Sequence, residues 1–214
     1  MYYSESIRMN KKGKFVVFEG GEGSGKDTQI ELLKAKYPDA VFTKEPGGTK
    51  FGMEMRRLLL EWRDGDIDAL AELFFFSAAR VQFMKEVVSP ALAEGKTVFS
   101  NRFALSTIAY QVYGRERPDL LDIAKLAIEK AVGADMPDLT IYLDIDPAEG
   151  IRRVESRKDG KTRFDAESSA FHARVREGFL KHVGDFGEHV VIDASGSVED
   201  VRKEIEKALR SVID

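Results

Sequence analysis

The fold is indicated most directly by residues 15–28, which read FVVFEGGEGSGKDT. An apolar run of strand character leads into a glycine-rich turn that ends at Lys26, and a stretch of helical period begins at Thr28. In such a turn backbone N–H groups converge on phosphate oxygens, the helix N-terminus contributes its dipole, and the lysine supplies a point charge. The segment therefore predicts a loop that binds nucleotide phosphates, formed by Gly20, Gly21, Glu22, Gly23, Ser24, Gly25, Lys26, Asp27 and Thr28.

The end of this loop departs from the usual pattern. Asp27 stands where phosphate-binding loops carry a serine or threonine that ligates magnesium, and Thr28 follows it. A carboxylate at this position is favourable in itself, because it faces the positive end of the helix dipole. The sequence leaves open whether Asp27, Thr28 or water would serve a metal ion.

Composition limits the classes of function. Of the 214 residues 43% are apolar and 33% charged, and the formal net charge is -4. This length fits one compact domain, and the charge provides no bulk basic field for binding nucleic acid or an anionic membrane. The absence of cysteine excludes disulfides and thiolate zinc sites. We expect a flexible tail over residues 1–13, a single domain over residues 14–214 and, because the first ten residues lack the apolar core of a signal peptide, a cytoplasmic protein.

Short apolar runs alternate with longer stretches of helical period along the chain. The strand candidates are Phe15 to Phe18, Val41 to Thr43, Val98 to Ser100, Leu139 to Leu143 and Val190 to Ile192. The helix candidates are Thr28 to Lys36, Ala69 to Val88, Leu120 to Val132, Ile151 to Arg157 and Val198 to Val212. Alternating strands and helices imply crossover connections, and continuous apolar strands imply burial on both faces. We therefore predict an α/β fold in which a parallel sheet of five strands lies between two layers of helices.

Three further segments, taken with the phosphate loop, give the chain a specific resemblance. They are TKEPGGT at 43–49, LFFFSAAR at 73–80 and NRFALSTIAYQ at 101–111. In this combination and order the chain resembles the bacterial type of the thymidylate kinase family over about residues 15–210. It departs from the family's segments at Lys44, which replaces arginine, and at Asn101, which replaces aspartate. The resemblance implies the three-layer fold of phosphate-loop NTPases and a kinase that transfers the γ-phosphoryl group of ATP to dTMP.

The resemblance also implies an acceptor site for dTMP. Phe76 would stack on the thymine ring, and Arg80, four residues later on the same helix face, would donate to the base. Arg56 and Arg102 would clamp the acceptor phosphate, for which a planar guanidinium is suited.

The sugar of dTMP would contact two more residues. Glu22 would accept a hydrogen bond from the 3′-hydroxyl, and Tyr110 would crowd the 2′ position and so favour deoxyribose. The same resemblance assigns to the acceptor site Glu45, Ser106, Thr107 and Gln111.

A basic cluster late in the chain resembles the lid that closes over ATP in this family. It comprises Arg152, Arg153, Arg157, Lys158, Lys161 and Arg163, within a lid placed at about residues 150–166. Because position 23 is glycine rather than arginine, the resemblance gives the transition-state arginine to the lid, with Arg153 and Arg157 as candidates. Together with Lys26 and Arg102 these two arginines form the implied catalytic set.

The resemblance implies magnesium bound with ATP and a homodimeric assembly. Family members carry a hydroxyl at position 27 and a carboxylate at position 101, whereas this chain has Asp27 and Asn101. We take these two residues as the candidate metal positions, with one carboxylate moved between them. Two alternatives stay open: another deoxynucleotide or nucleoside monophosphate kinase with a different base pocket, and a phosphate-loop switch or binding protein.

Overall fold

The computed structural model describes residues 13–62, 65–156 and 162–213. The strands in this part of the chain are β1 (Phe15–Gly20), β2 (Val41–Lys44), β3 (Val98–Asn101), β4 (Leu139–Asp144) and β5 (His189–Asp193). The α-helices are α1 (Lys26–Lys36), α2 (Lys50–Glu61), α3 (Ala69–Phe83), α4 (Ser89–Ala93), α5 (Ala104–Thr107), α6 (Leu121–Val132), α7 (Pro147–Glu155), α8 (Ser169–His182) and α9 (Val198–Arg210). Wider π-helical turns follow α3 and α5 at Met84–Val88 and Ile108–Gly114, and 3₁₀ turns lie at Pro118–Leu120 and Val183–Phe186.

The strands form one parallel sheet in the order β2-β3-β1-β4-β5. The central strand β1 pairs with β3, with Phe18 opposite Asn101, and with β4, with Gly20 opposite Leu143. The predicted five-stranded parallel sheet is confirmed. The carboxyl ends of adjacent strands meet at one edge, which is where open α/β sheets bind their ligands.

Apolar side chains cover both faces of the sheet. Phe15 and Val17 of β1 belong to a cluster with residues of α3 and α6, and Val16 and Phe18 to a cluster with residues of α1 and α9. All four side chains are buried. Burial on both faces explains why these strands are continuously apolar in sequence rather than alternating.

Each predicted strand is present and extends one or two residues beyond its predicted bounds. The helix predicted over Ala69 to Val88 ends at Phe83 and passes through a π-helical turn into α4. Pro90 lies in the first turn of α4 and has no N–H to donate, so the regular ladder of helical hydrogen bonds is interrupted before it.

The helix predicted over Ile151 to Arg157 begins earlier, at Pro147. The Asp146 carboxylate accepts from the backbone N–H of Ala148 at 3.0 Å and so caps the start of this helix. Arg157 lies outside the described residues. Within residues 13–62, 65–156 and 162–213 no helix combines the length and apolar character that a bilayer crossing requires.

Candidate active site

The candidate active site lies at the carboxyl ends of β1 and β3, where the phosphate loop leaves one strand and Arg102 follows the other. The Lys26 ammonium group donates to the carbonyl oxygens of Gly20 and Gly21, each at 2.9 Å, and to Ser24 Oγ at 3.0 Å. These bonds close the loop around the lysine. Burial, followed by the nearby charge of Arg102, lowers the pKa of Lys26 to about 7. Binding of an anionic polyphosphate would favour the protonated lysine.

Gly23 has a φ of 71°, and the backbone of α7 lies directly against it. A Cβ atom at this position would overlap the carbonyl oxygen of Gly150. A side chain is therefore excluded both by the backbone conformation and by the close approach of the helix. An arginine has no room at position 23.

Glu19, a fully buried carboxylate in β1, shapes the turn that follows β3. Its Oε1 accepts from the backbone N–H groups of Phe103 at 2.9 Å and Ser106 at 3.1 Å, and its Oε2 accepts from Ser106 Oγ at 2.6 Å. Burial raises the pKa of Glu19, against the opposing effect of these bonds and of Arg102. The sequence analysis missed this residue, because one acidic residue in an apolar strand forms no motif; its place just before the phosphate loop was the only signal.

The turn held by Glu19 places Arg102 in an unusual backbone conformation. Arg102 has a φ of 68°, in the left-handed region that is uncommon for residues other than glycine. Its N–H donates to the carbonyl oxygen of Phe18 at 2.8 Å, and its carbonyl oxygen accepts from Ser100 Oγ at 2.8 Å. The two central strands thus fix a strained residue at the site, as is common where function requires one orientation.

The Arg102 guanidinium connects the phosphate loop to the neighbouring cavity wall. Its Nη1 donates to the Gly20 carbonyl oxygen at 2.9 Å, and its Nη2 donates to Glu22 Oε1 at 2.7 Å and to the Tyr110 hydroxyl at 2.9 Å. Tyr110 donates in turn to Glu22 Oε1 at 2.7 Å. Burial acts to raise the pKa of Glu22, but the charges of Arg102 and Lys26 outweigh it and hold the pKa below its usual value. Glu22 is therefore an ionised hydrogen-bond acceptor at neutral pH.

A cavity of about 110 Å³ lies beside Arg102 and is called the acceptor cavity here. Every residue that the sequence assigned to dTMP lines it, namely Glu22, Glu45, Arg56, Phe76, Arg80, Arg102, Ser106, Thr107, Tyr110 and Gln111. The structure thus brings these residues together, while their contacts to dTMP stay predictions. Thr162 and Phe164 also line the cavity, although the sequence analysis placed them only within the lid.

Arg80 is held in the wall of the acceptor cavity by buried partners. Its Nε lies 2.8 Å from Glu45 Oε1, and its Nη2 donates to Thr107 Oγ1 at 2.8 Å and to the Phe103 carbonyl oxygen at 3.3 Å. Burial raises the pKa of Glu45 to about 7, although the charge of Arg80 opposes this. Arg80 therefore has a structural role as well as its predicted contact to the base.

A second cavity, of about 220 Å³, is enclosed by the phosphate loop and is called the phosphate cavity here. The loop residues that line it are Glu22, Gly23, Ser24, Gly25, Lys26 and Asp27. Asn101 lies opposite them, and its Nδ2 donates to Asp27 Oδ1 at 2.7 Å. Thr28 is exposed and is not among the lining residues. No cluster of three or more histidine, aspartate and glutamate side chains with metal-binding geometry occurs in the described part of the chain.

Comparison with known proteins identifies the family. The sequence profile of thymidylate kinase matches residues 18–205. The chain belongs to the thymidylate kinase family. The thymidylate kinase of Nitratidesulfovibrio vulgaris strain Miyazaki F is 41% identical, with 93% of this chain and 97% of the relative covered. That of Cereibacter sphaeroides strain ATCC 17029 is 42% identical, with 91% and 93% covered.

A solved structure gives the same result for the fold. The crystal structure of thymidylate kinase from Ehrlichia chaffeensis has a TM-score of 0.71 and 30% sequence identity to this chain, and 92% of this chain and 98% of that chain are covered. The predicted phosphate-loop fold and the predicted family, which is one of nucleoside monophosphate kinases, are confirmed.

The lid that the thymidylate kinase resemblance predicts is described in part. Arg153 binds Glu149 Oε1 at 3.1 Å and the carbonyl oxygens of Ala194 at 3.0 Å and Ser195 at 3.3 Å. Arg153 thus joins α7 to the turn after β5. It is not among the described residues that line the phosphate cavity. The predicted lid residues Arg157, Lys158 and Lys161 lie outside the described residues.

Proposed function

We propose that this protein transfers the γ-phosphoryl group of ATP to dTMP, giving dTDP and ADP. The observation that carries the proposal is the junction of the two cavities. Both are lined by Glu22, Glu45, Arg56, Arg102 and Thr162. An acceptor phosphate at this junction would meet two guanidinium groups and the end of a polyphosphate held by the loop. A switch protein would need only the phosphate cavity.

The reaction asks for positioning and charge neutralisation rather than covalent chemistry by the protein. An oxygen of the acceptor phosphate attacks the γ-phosphorus in line, and the bond to the bridging oxygen of ADP breaks. Lys26 and Arg102 would stabilise the charge on the transferring group, and Arg56 would orient the acceptor phosphate. No general base is required, because a phosphate monoester is largely a dianion near neutral pH.

The acceptor cavity has the chemistry that a thymine deoxynucleotide requires. Phe76 offers an aromatic face, and Arg80, held by Glu45, offers donors to a base carbonyl. Glu22 is the ionised acceptor for the 3′-hydroxyl, and Tyr110, bonded to it at 2.7 Å, would close the 2′ side. These contacts favour dTMP over ribonucleotides and over larger bases.

Magnesium is the metal that ATP-dependent phosphoryl transfer uses, and Asp27 and Asn101 are the residues we assign to it. The donor set fits, because magnesium prefers oxygen ligands and keeps several waters beside one or two protein groups. Asn101 Nδ2 donates to one oxygen of Asp27, and the other Asp27 oxygen and the Asn101 carbonyl oxygen are the groups that would hold the ion or its waters. The bound metal would neutralise donor phosphate charge.

A lid arginine would add to the stabilisation of the transferring group. Of the two candidates, Arg153 would have to leave Glu149 and two carbonyl oxygens to reach the phosphates. We therefore assign the role to Arg157 ahead of Arg153.

A homodimer is the assembly we propose. Helix α3 packs against α2 and α6, and these three helices expose large apolar side chains: Phe51, Met53, Phe74, Phe75, Val81 and Leu126. Exposed apolar area of this kind is typical of a protein interface. Sedimentation velocity tests the proposal, since Phe74→Glu should dissociate a dimer, whereas a monomeric wild-type protein would contradict it. The cytoplasmic location stays a prediction.

Direct product analysis tests the proposed reaction. Protein, ATP, magnesium and dTMP are incubated together, and the nucleotides are separated by ion-exchange chromatography. We expect dTDP and ADP in equal amounts, and little of either with Lys26→Met, which removes the loop cation. ADP without dTDP would indicate hydrolysis and contradict the proposal.

A further inference from the structure

Glu72 is a fully buried carboxylate on α3 that neither cavity contacts. Phe76 and Arg80 follow it at four and eight positions along the same helix, so the three side chains share one face. A buried charge is costly unless it is paired and hydrogen-bonded. Its partners therefore indicate what Glu72 does.

The partners of Glu72 come from two other parts of the chain. Gln111 Nε2 donates to its Oε2 at 3.0 Å, and Arg115 Nη2 donates to its Oε1 at 2.9 Å. The Arg163 guanidinium forms an ion pair with the same Oε1. Arg115 also binds Glu167, so that two guanidinium groups and two carboxylates form one cluster.

Arg163 and Glu167 belong to residues 162–167, which we call the return arm. Within the arm the Thr162 N–H donates to Asp165 Oδ2 at 2.7 Å, which closes a tight turn. Thr162 and Phe164, on either side of Arg163, line the acceptor cavity. The arm is thus a wall of the cavity, and the arginine in its middle points to the buried carboxylate.

Phe164 connects this wall to the substrate-facing aromatic residues. Its ring centroid lies 5.5 Å from that of Tyr110 in an edge-to-face contact, and 6.4 Å from that of Phe76. The guanidinium carbon of Arg163 lies 5.0 Å from the Phe164 centroid. A change in the position of Arg163 would therefore move the Phe164 ring, which packs against Tyr110 and Phe76.

We infer that Glu72 is a positioning residue for the acceptor site, which through Arg163 seats the return arm against the base-binding helix and completes the cavity around the base and sugar. This inference rests on the proposed function. Glu72 and Arg163 touch no reacting atom; they act through Thr162 and Phe164. The competing explanation is that Glu72 acts only through Gln111 and Arg115, with no contribution from Arg163.

Substitution of Arg163, the arginine of the return arm, distinguishes the two explanations. Arg163→Gln removes the positive charge of the arm and leaves Gln111 and Arg115 bound to Glu72, so the competing explanation predicts no effect. Glu72→Gln keeps an acceptor for Gln111 and removes the charge that both arginines face. Arg163→Lys keeps a cation with fewer donors and should restore part of the function. Arg202→Gln is the matched control, because Arg202 pairs with Glu199 on the surface of α9 and lines neither cavity.

Two measurements are made on each variant: steady-state kinetics with dTMP and ATP, and amide hydrogen exchange by mass spectrometry over residues 162–171. For Arg163→Gln we expect the KM for dTMP to rise about three- to tenfold, with a smaller change for ATP, as for the loss of one coupled ion pair. Exchange in the arm should become faster without any nucleotide. Glu72→Gln should show the same changes in KM and exchange as Arg163→Gln. The double variant should have a KM for dTMP no higher than that of the more affected single variant.

Several outcomes would overturn the inference. Arg163→Gln with wild-type kinetics and exchange would do so, and so would a defect confined to Glu72→Gln or one shared with Arg202→Gln. If Glu72→Gln fails to fold, Arg163→Gln and Arg163→Lys still decide. A wild-type protein that does not phosphorylate dTMP would contradict the proposed function instead, and the exchange measurement would then still report on the arm.

Discussion

The Arg102 guanidinium bonds to the Glu22 carboxylate at 2.7 Å and so ties the end of β3 to the phosphate loop. Arg102 has a left-handed backbone conformation, and its charge is the largest of those that lower the pKa of Glu22 in spite of burial. The two residues line both the acceptor cavity and the phosphate cavity. The pair therefore sets the geometry and the charge of the place where the two substrates would meet.

The first prediction concerns the pKa of Glu22. In Arg102→Gln the neighbouring charge is lost and burial dominates, so the pKa of Glu22 should rise from its lowered value. The carboxylate would then become protonated as pH falls through this higher pKa, and the acceptor for the 3′-hydroxyl would be lost. Affinity for dTMP should decline as pH falls through the pKa of Glu22, and the decline should begin at a higher pH in the variant than in the wild type.

Calorimetric titration of dTMP from neutral to acidic pH tests the prediction. The phosphate of dTMP itself takes up a proton at about pH 6 in both proteins, so the informative quantity is the difference between the two proteins in the pH at which affinity begins to fall. An identical pH dependence in the two proteins would show that Arg102 does not control the ionisation of Glu22.

The second prediction concerns Arg80. Arg80→Ala should weaken dTMP binding by about 1–3 kcal/mol, the cost of a buried polar group left unpaired, and should change ATP affinity far less. It should also destabilise the fold, because the buried Glu45 carboxyl, whose pKa is already raised to about 7, would lose its partner and have to take up a proton or stay buried and unpaired. Glu45→Gln added to Arg80→Ala should recover thermal stability but not dTMP affinity. Equal weakening of both substrates would count against the base contact.

The third prediction concerns sugar discrimination. Tyr110→Ala should raise activity with ribonucleotides relative to dTMP, because removal of the ring opens the 2′ side of the cavity. Tyr110→Phe is the control that keeps the ring and removes only the bonds to Glu22 and Arg102. Specificity constants for dTMP, dUMP, UMP and ribosyl TMP measure the effect. Unchanged discrimination in Tyr110→Ala would remove Tyr110 from this role, while preference for dTMP over dUMP should stay modest, since one buried methyl contributes about 0.8 kcal/mol.

The fourth prediction concerns the carboxylate that this chain carries at position 27 rather than at position 101. The hydrogen bond of 2.7 Å between Asp27 and Asn101 makes a coupled pair. Asp27→Ser and Asn101→Asp should each lose activity and need more magnesium, and the double variant should recover much of the loss. Magnesium titrations of all four proteins, followed by kinetics, test this. Losses that simply add would show that the two departures are unrelated.

The elements that carry local signals could be predicted from the sequence. The phosphate loop is a contiguous motif, the strands are apolar runs bounded by turns, and the acceptor residues lie in three short segments. Glu19 and Glu72 could not be predicted, because their partners are far along the chain and spacing does not reveal them: Glu19 meets Phe103 and Ser106, and Glu72 meets Gln111, Arg115 and Arg163.

Arg153 shows the opposite difficulty. A cluster of basic residues in a lid segment suggested a phosphate contact for it, yet its guanidinium binds two backbone carbonyl oxygens in the turn after β5. Backbone acceptors have no sequence signature, so the alternative could not be predicted from side-chain chemistry. The sequence also gave no sign of the packing of α7 against Gly23.

Substrate preference tests the central claim most directly. ADP release is measured in a coupled assay with ATP, magnesium and, in separate reactions, dTMP, dUMP, dGMP, AMP and CMP. The account predicts the highest kcat/KM for dTMP, a modestly lower value for dUMP, and much lower values for the other three, because the contacts proposed for Phe76, Arg80 and Tyr110 fit a deoxynucleotide with a thymine or uracil base. A higher kcat/KM for dGMP, AMP or CMP than for dTMP would contradict it.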